Sequence, residues 1–203
     1  MTKFIMKVFA IALLGSSFAW AGPSAQLDRG ATRVALDTGF LDALGANAID
    51  VATIERGKLN GNTLTLRFPV RGGVVDAGTL EGDIFHVGGL SLSRDDSEVT
   101  LLNFTIETYS TADLLTSTER SPQLTGVVTL NGDVLGRYPL FDLDLSGATV
   151  DISDSGKVKI TDVGVSLSAA ASLALDTVFG TGDTTGLGVG TARVSTMIVG
   201  LQE

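Results

Sequence analysis

Cysteine is absent from this sequence, which removes disulfides, thiolate metal sites and cysteine nucleophiles together. Histidine occurs once, at His86, so no multi-histidine metal site can be built within one chain. Tryptophan also occurs once, at Trp20, and the tyrosines are Tyr109 and Tyr138 alone. Carbohydrate-binding faces rely on exposed aromatic platforms, so this scarcity counts against a lectin. Proline is scarce, at four, while glycine reaches 25, a balance expected where tight turns join extended strands. Beyond the N-terminal segment no run is apolar over the roughly 20 residues that a membrane-spanning helix needs. Apolar residues make up 44% of the chain, enough for a sizeable core and too many for wholesale disorder.

The N-terminus reads MTKFIMKVFAIALLGSSFAWAGPSAQ. Lys3 and Lys7 form a positive region, Val8 to Leu14 an apolar one, and Ala19-Trp20-Ala21 a small-x-small cleavage site. This pattern predicts a signal peptide over residues 1–21, followed by one domain over 22–203. The expected address is outside the cytoplasm: periplasm, cell surface or medium. Removing residues 1–21 takes two of the 14 basic residues and none of the 23 acidic ones, so the mature net charge becomes −11. An acidic exported protein repels nucleic acid and anionic lipid surfaces.

Strand signals fill the rest of the chain. Leu64, Leu66, Phe68 and Val70 alternate with polar neighbours, as do Leu102, Phe104 and Ile106, and Phe141, Leu143 and Leu145. Such period-two alternation marks strands with one buried face. The polar stretch Ser93 to Glu98 predicts a hairpin between Leu90–Leu92 and Val99–Ile106. Asn131-Gly132 is a hairpin-turn signal. The turn Asp154-Ser155-Gly156 joins Val150 and Ile152 to Val158 and Ile160. Two stretches depart from this rhythm, Val34 to Ile54 and Val165 to Val194. Each opens with a short alternating strand and continues with a capping residue, Asp37 or Thr38 in one and Ser168 in the other. A short helical pattern follows, with Phe40, Leu41 and Leu44 on one face of the first, and Leu173, Leu175, Val178 and Phe179 on one face of the second. Gly45 and Gly180 stand where each helix would end, and a strand follows. The prediction is a mainly β, antiparallel sandwich-like domain with two short helices, one in each terminal strand–helix–strand unit, and with the two ends meeting in space.

Few residues carry recognisable chemistry. His86 shares a strand face with Ile84 and precedes Gly88 and Gly89, residues that often mark a close backbone approach. Its expected state is a partly buried histidine bonded to a backbone carbonyl; the alternative is a ligand contact. No G-x-S-x-G elbow supplies a serine nucleophile. The carboxylate pairs Asp95 with Asp96, Asp142 with Asp144, and Asp151 with Asp154 leave a carboxylate-based hydrolase as an alternative reading. The EF-hand pattern is missing, and the glycines of GLGVGTAR precede no helix, so neither calcium nor phosphate-cradling chemistry follows. Tyr138, ahead of Pro139, is expected at a strand edge or start.

The stretch Phe68 to Glu107, FPVRGGVVDAGTLEGDIFHVGGLSLSRDDSEVTLLNFTIE, resembles the central part of HtaA-like domains. The resemblance rests on His86, Gly88, Gly89, Leu90, Leu92, Val99, Leu101, Asn103 and Ile106. It extends to the preceding helix, GFLDALG, and more loosely to LTGVVTLNGDVLGRYPLFDLDL. These domains occur in secreted or surface-attached bacterial proteins, and some bind haem. The haem-binding members place a ligand tyrosine on the first helix, where this chain has Phe40-Leu41-Asp42-Ala43-Leu44. His86 matches the family histidine that holds this tyrosine. The resemblance thus implies haem as a cofactor with His86 toward it, and Tyr109 or Tyr138 is the candidate to stand in for the missing ligand tyrosine. The expected function is an exported, non-enzymatic β-rich protein that binds a small molecule or cell-surface partner. A haem carrier of the HtaA type is the first alternative, and no firm cofactor is read from the residues themselves.

Overall fold

The computed structural model describes residues 23–108, 112–113, 118–119 and 121–202. The segment read as a signal peptide, and Tyr109, lie outside the described residues. The strands are β1 (Ser24–Leu36), β2 (Asp50–Ile54), β3 (Lys58–Asn60), β4 (Thr65–Asp76), β5 (Gly82–His86), β6 (Gly89–Arg94), β7 (Ser97–Glu107), β8 (Ala112–Asp113), β9 (Thr118–Glu119), β10 (Gln123–Leu130), β11 (Asp133–Asp144), β12 (Thr149–Ile152), β13 (Lys157–Leu167) and β14 (Gly188–Gln202). The helices are α1 (Thr38–Ala46) and α2 (Ala169–Phe179).

The mainly β, antiparallel architecture with two helices is the one that the alternation predicts. Its layers are joined all the way round. β1 pairs with β4, β4 with β5, β5 with β7 and β7 with β10. β10 then pairs with β11, β11 with β13, β13 with β14, and β14 returns to β1. The pairing of β7 with β10 closes the circuit and leaves no open edge there. β6 continues along the β7 edge that β5 starts, and β2 adds outside β6. β3 and β12 lie on β4 and β13.

Local chemistry sets the turns. Asn131 and Gly132 both have positive φ, 51° and 90°, which gives the β10–β11 hairpin the twist of a primed turn. The β6–β7 hairpin forms as expected, in register from Gly89↔Leu102 to Arg94↔Ser97. Leu64 differs from its expected strand position: it takes φ 46° in the turn ahead of β4, and the alternation begins at Leu66.

Both helices are capped by the expected side chains. Gly39 N–H donates to Asp37 Oδ1 at 2.7 Å, and Ala171 N–H donates to Ser168 Oγ at 3.1 Å. Gly180 ends α2 in the left-handed region, φ 63° and ψ 39°. Gly45 does not end α1. The helix runs on to Ala46 because Asn47 Nδ2 donates to Ala43 O at 2.9 Å and satisfies the last turn. The two terminal units pair differently: β13 and β14 bond to each other, whereas β2 bonds to β6 rather than β1. The chain ends do meet, in an antiparallel ladder from Ser24↔Gln202 to Leu36↔Gly190. Inward residues from the whole circuit form one core, in which Phe68 and Phe104 pack edge to face with centroids 4.9 Å apart.

Candidate functional site

The alternation in β5 turns Ile84 and His86 to the interior and Phe85 outward. In β1 it turns Thr32 and Val34 inward in the same way. These faces bring Thr32 Oγ1 to 2.7 Å from His86 Nε2. His86 Nδ1 lies 3.3 Å from Phe104 O. A carbonyl only accepts, so Nδ1 carries the hydrogen and donates to it. For a neutral ring, Nε2 is then the acceptor, and the Thr32 hydroxyl donates to it. His86 is 4% exposed. Burial lowers its pKa to about 4, although hydrogen bonds with the Phe104 and Ile84 backbone work in the opposite direction. The imidazole is therefore neutral at pH 7, with both nitrogens engaged.

Gly88 and Gly89 have the steric role that their place beside His86 implies. A Cβ on Gly88, at φ 91°, would stand 2.4 Å from Gly57 N, and one on Gly89 would stand 2.1 Å from Leu101 O. The bend from β5 into β6 thus needs glycine, and it fixes where β5 ends and His86 points.

The Thr32–His86 pair sits in the wall of an interior cavity of about 520 Å³. Phe68 and Phe104 line it from the ring, Phe40 from α1 and Leu173 from α2. The wall is overwhelmingly aliphatic and aromatic, and no lysine, arginine or carboxylate lines it. Leu173 is 67% exposed, and Ala170, Ala174 and Thr177 on the same helix are exposed lining residues too. The cavity therefore reaches solvent beside α2. Its size falls within the roughly 300–1,000 Å³ usual for small-molecule sites.

Tyr138 lines the same cavity as His86. It is 44% exposed, and its hydroxyl donates to Leu135 O at 3.3 Å. The β11 ladder with β13 covers only Phe141–Asp144, so Pro139 occupies a strand edge as its missing donor requires. The Pro139 carbonyl accepts from Ser168 Oγ at 2.9 Å. The paired carboxylates Asp95, Asp96, Asp142, Asp144, Asp151 and Asp154 are exposed and lie outside the cavity wall. Hydrogen bonds from Ser146 hold the Asp144 carboxyl below its usual range. Among the described residues no group of three histidine or acidic side chains could hold a metal ion.

Thr32 and the small face of α2 were not among the residues that sequence reasoning singles out. The available signal was a threonine in step with Val34 and Leu36 at period two, and a run of alanines where larger core residues are usual.

Haem iron takes an axial histidine, cysteine, methionine or tyrosine. The lone pair of the His86 ring is committed to Thr32, and the cavity face of α1 carries Phe40, Leu41 and Leu44 in place of a tyrosine. No cation lines the cavity to meet propionates. The described residues that line the cavity therefore do not fit haem, Tyr138 being the sole phenol among them.

No known protein family profile matches the sequence, and no curated protein matches it. Solved structures do. The fold is similar to that of the C-terminal domain of HtaA from Corynebacterium glutamicum, with TM-score 0.61 and 15% identity over 86% of this chain and 99% of that one. It is also similar to Heme binding protein HtaB from Corynebacterium glutamicum, with TM-score 0.52 and 15% identity over 86% of this chain and 95% of that one. The chain thus shares its fold with the HtaA C-terminal domain and HtaB.

Proposed function

We propose that this is an exported, non-enzymatic binding protein that holds an apolar small molecule inside its β ring. The observation that carries this reading is the 520 Å³ cavity, lined almost entirely by apolar side chains and reaching solvent beside α2. Apolar area taken from water contributes roughly 25 cal/mol per Å², so a ligand that fills such a space needs few polar contacts. The Thr32–His86 pair would serve as a fixed polar landmark in the wall. Chemistry on the ligand is not expected, because no carboxylate lines the space and His86 is a poor proton acceptor with a pKa of about 4. Export is read from residues 1–21.

The test is a titration of the purified mature chain with the neutral fluorophore 1-aminoanthracene. Saturable emission at one equivalent is expected, and Ala174→Trp, which fills the mouth from α2, should abolish it. Absence of saturable binding to the parent chain overturns the reading. The fold shared with a haem-binding protein raises haem as the other reading, but the lining does not fit it. Hemin added to the same protein should therefore leave the Soret band unshifted; a Soret shift that Tyr138→Phe removes would establish haem instead.

A further inference from the structure

The outer face of the ring carries an arrangement that the cavity does not explain. Lys58 of β3 stands directly opposite Arg67 of β4. Arg67 stands opposite Arg33 of β1, and Arg33 opposite Arg193 of β14. Four cations thus form one row across four neighbouring strands. The row faces outward. Thr32 and Val34 flank Arg33, Leu66 and Phe68 flank Arg67, and Ala192 and Val194 flank Arg193, all six buried on the inner side. With strands about 4.8 Å apart, the row extends over roughly 14 Å.

Like charges placed directly opposite each other destabilise a sheet. The chain has 23 acidic residues, yet among the described residues none forms an ion pair with the row. Among the described residues the ion pairs are Arg29 with Asp28 at 3.5 Å and Arg94 with Asp95 at 3.9 Å, neither of which involves it. Beyond Arg193, Asp162 lies in the β13 bulge between Ile160 and Val163 that faces it; it is exposed, its carboxylate accepts from Thr161 Oγ1 at 2.8 Å, and it forms no ion pair with Arg193. Arg33, Lys58 and Arg67 also line an open concavity of about 730 Å³ together with Asn60, Asn62 and Thr65, and no carboxylate lines it. Amide and hydroxyl donors therefore sit beside three unpaired cations.

We propose that this row binds a multivalent phosphoryl oxyanion, one that spans at least two strand spacings. Arginine forks match the oxygen geometry of phosphoryl groups in pairs, and three of the four cations are arginines. A single phosphate meets only one cross-strand pair, so the length of the row selects a ligand with several anionic groups. The site is on the opposite side of the sheet from the cavity and does not depend on what the cavity holds.

Calorimetric titration of the mature chain with inorganic tripolyphosphate and with orthophosphate, at low salt, tests this. Tripolyphosphate should bind at one equivalent and at least tenfold more tightly than orthophosphate. Arg33→Gln with Arg67→Gln should weaken it at least tenfold, without lowering the thermal midpoint of the free protein. Arg71→Gln, on β4 but off the row, should leave affinity within twofold. No saturable binding, no preference for the longer anion, or equal loss from Arg71→Gln overturns the proposal. A second arm locates the source of the phosphoryl groups. Sedimentation with phosphatidylcholine vesicles containing phosphatidylglycerol, lost in the double variant, assigns the site to lipid headgroups. Tripolyphosphate binding without sedimentation assigns it to soluble oligophosphates.

Discussion

At the scale of single residues, His86 decides most. A histidine held neutral by burial makes stability depend on pH, and the sign follows from the direction of its shift. Its folded pKa, about 4, lies below the ordinary 6.5. The unfolded chain therefore takes up a proton before the folded one does. Stability from this group is complete above pH 6.5 and is lost as pH falls toward 4, by up to about 3 kcal/mol. Thermal midpoints measured from pH 7 to pH 4.5 should fall for the parent chain. His86→Gln keeps a donor and an acceptor but does not titrate in this range, so its curve should be flatter, the carboxylates common to both accounting for what remains. Parallel curves would show that the ring is not buried and neutral. Thr32 belongs to the same unit. Thr32→Val leaves Nε2 without a donor at a cost of about 1–3 kcal/mol, while keeping the side-chain shape.

At the scale of elements, the two helix caps make a controlled comparison. Ser168 Oγ accepts from Ala171 N–H and donates to Pro139 O, so it ties the start of α2 to the edge of β11 while buried. The Asp37 side chain accepts from Gly39 N–H at the surface. Ser168→Ala should cost about 1–3 kcal/mol and Asp37→Ala about 1 kcal/mol or less, an order that urea midpoints of the two variants will check. Elements such as these were largely legible in the sequence. Ser168, Gly180, Asn131-Gly132 and the alternation around Phe104 and Leu143 each act through neighbours a few residues away. Gly45 misled because the competing cap, Asn47, works through a side chain that happens to reach back to Ala43. The site was legible only in part. The place of His86 on an inward face follows from its spacing to Ile84. Its bond to Thr32 crosses from β5 to β1 over β4, and nothing local encodes it. The cavity is a property of how much volume α2 leaves unfilled, which small residues hint at but which only the packing of the helices against the ring determines.

At the scale of the whole molecule, the central fact is that the hydrogen-bond circuit has no end. Strands within it bond on both sides, whereas β12 and β3 sit on it as additions. A break inside the circuit should therefore cost far more than a break outside it, even at outward-facing positions. Ser195 and Asp151 make the comparison. Ser195 faces outward in β14, opposite Ala31 of β1 and Lys159 of β13. Asp151 is exposed in β12, opposite Lys159 alone. Proline at either position removes one backbone donor and restricts φ. At Ser195 this also strains two ladders and leaves a partner carbonyl shielded from water, together about 3 kcal/mol or more. At Asp151 water can replace the lost bond. For a domain of this size about 1 kcal/mol moves the thermal midpoint by roughly 2–4 °C. Ser195→Pro should lower it by roughly 6–12 °C or prevent folding, and Asp151→Pro by no more than roughly 4 °C. Differential scanning fluorimetry of both variants checks this, with far-ultraviolet circular dichroism to register loss of strand signal. Equal losses would mean that the circuit does not act as one closed unit, and the seam between β7 and β10 would be the place to find it open.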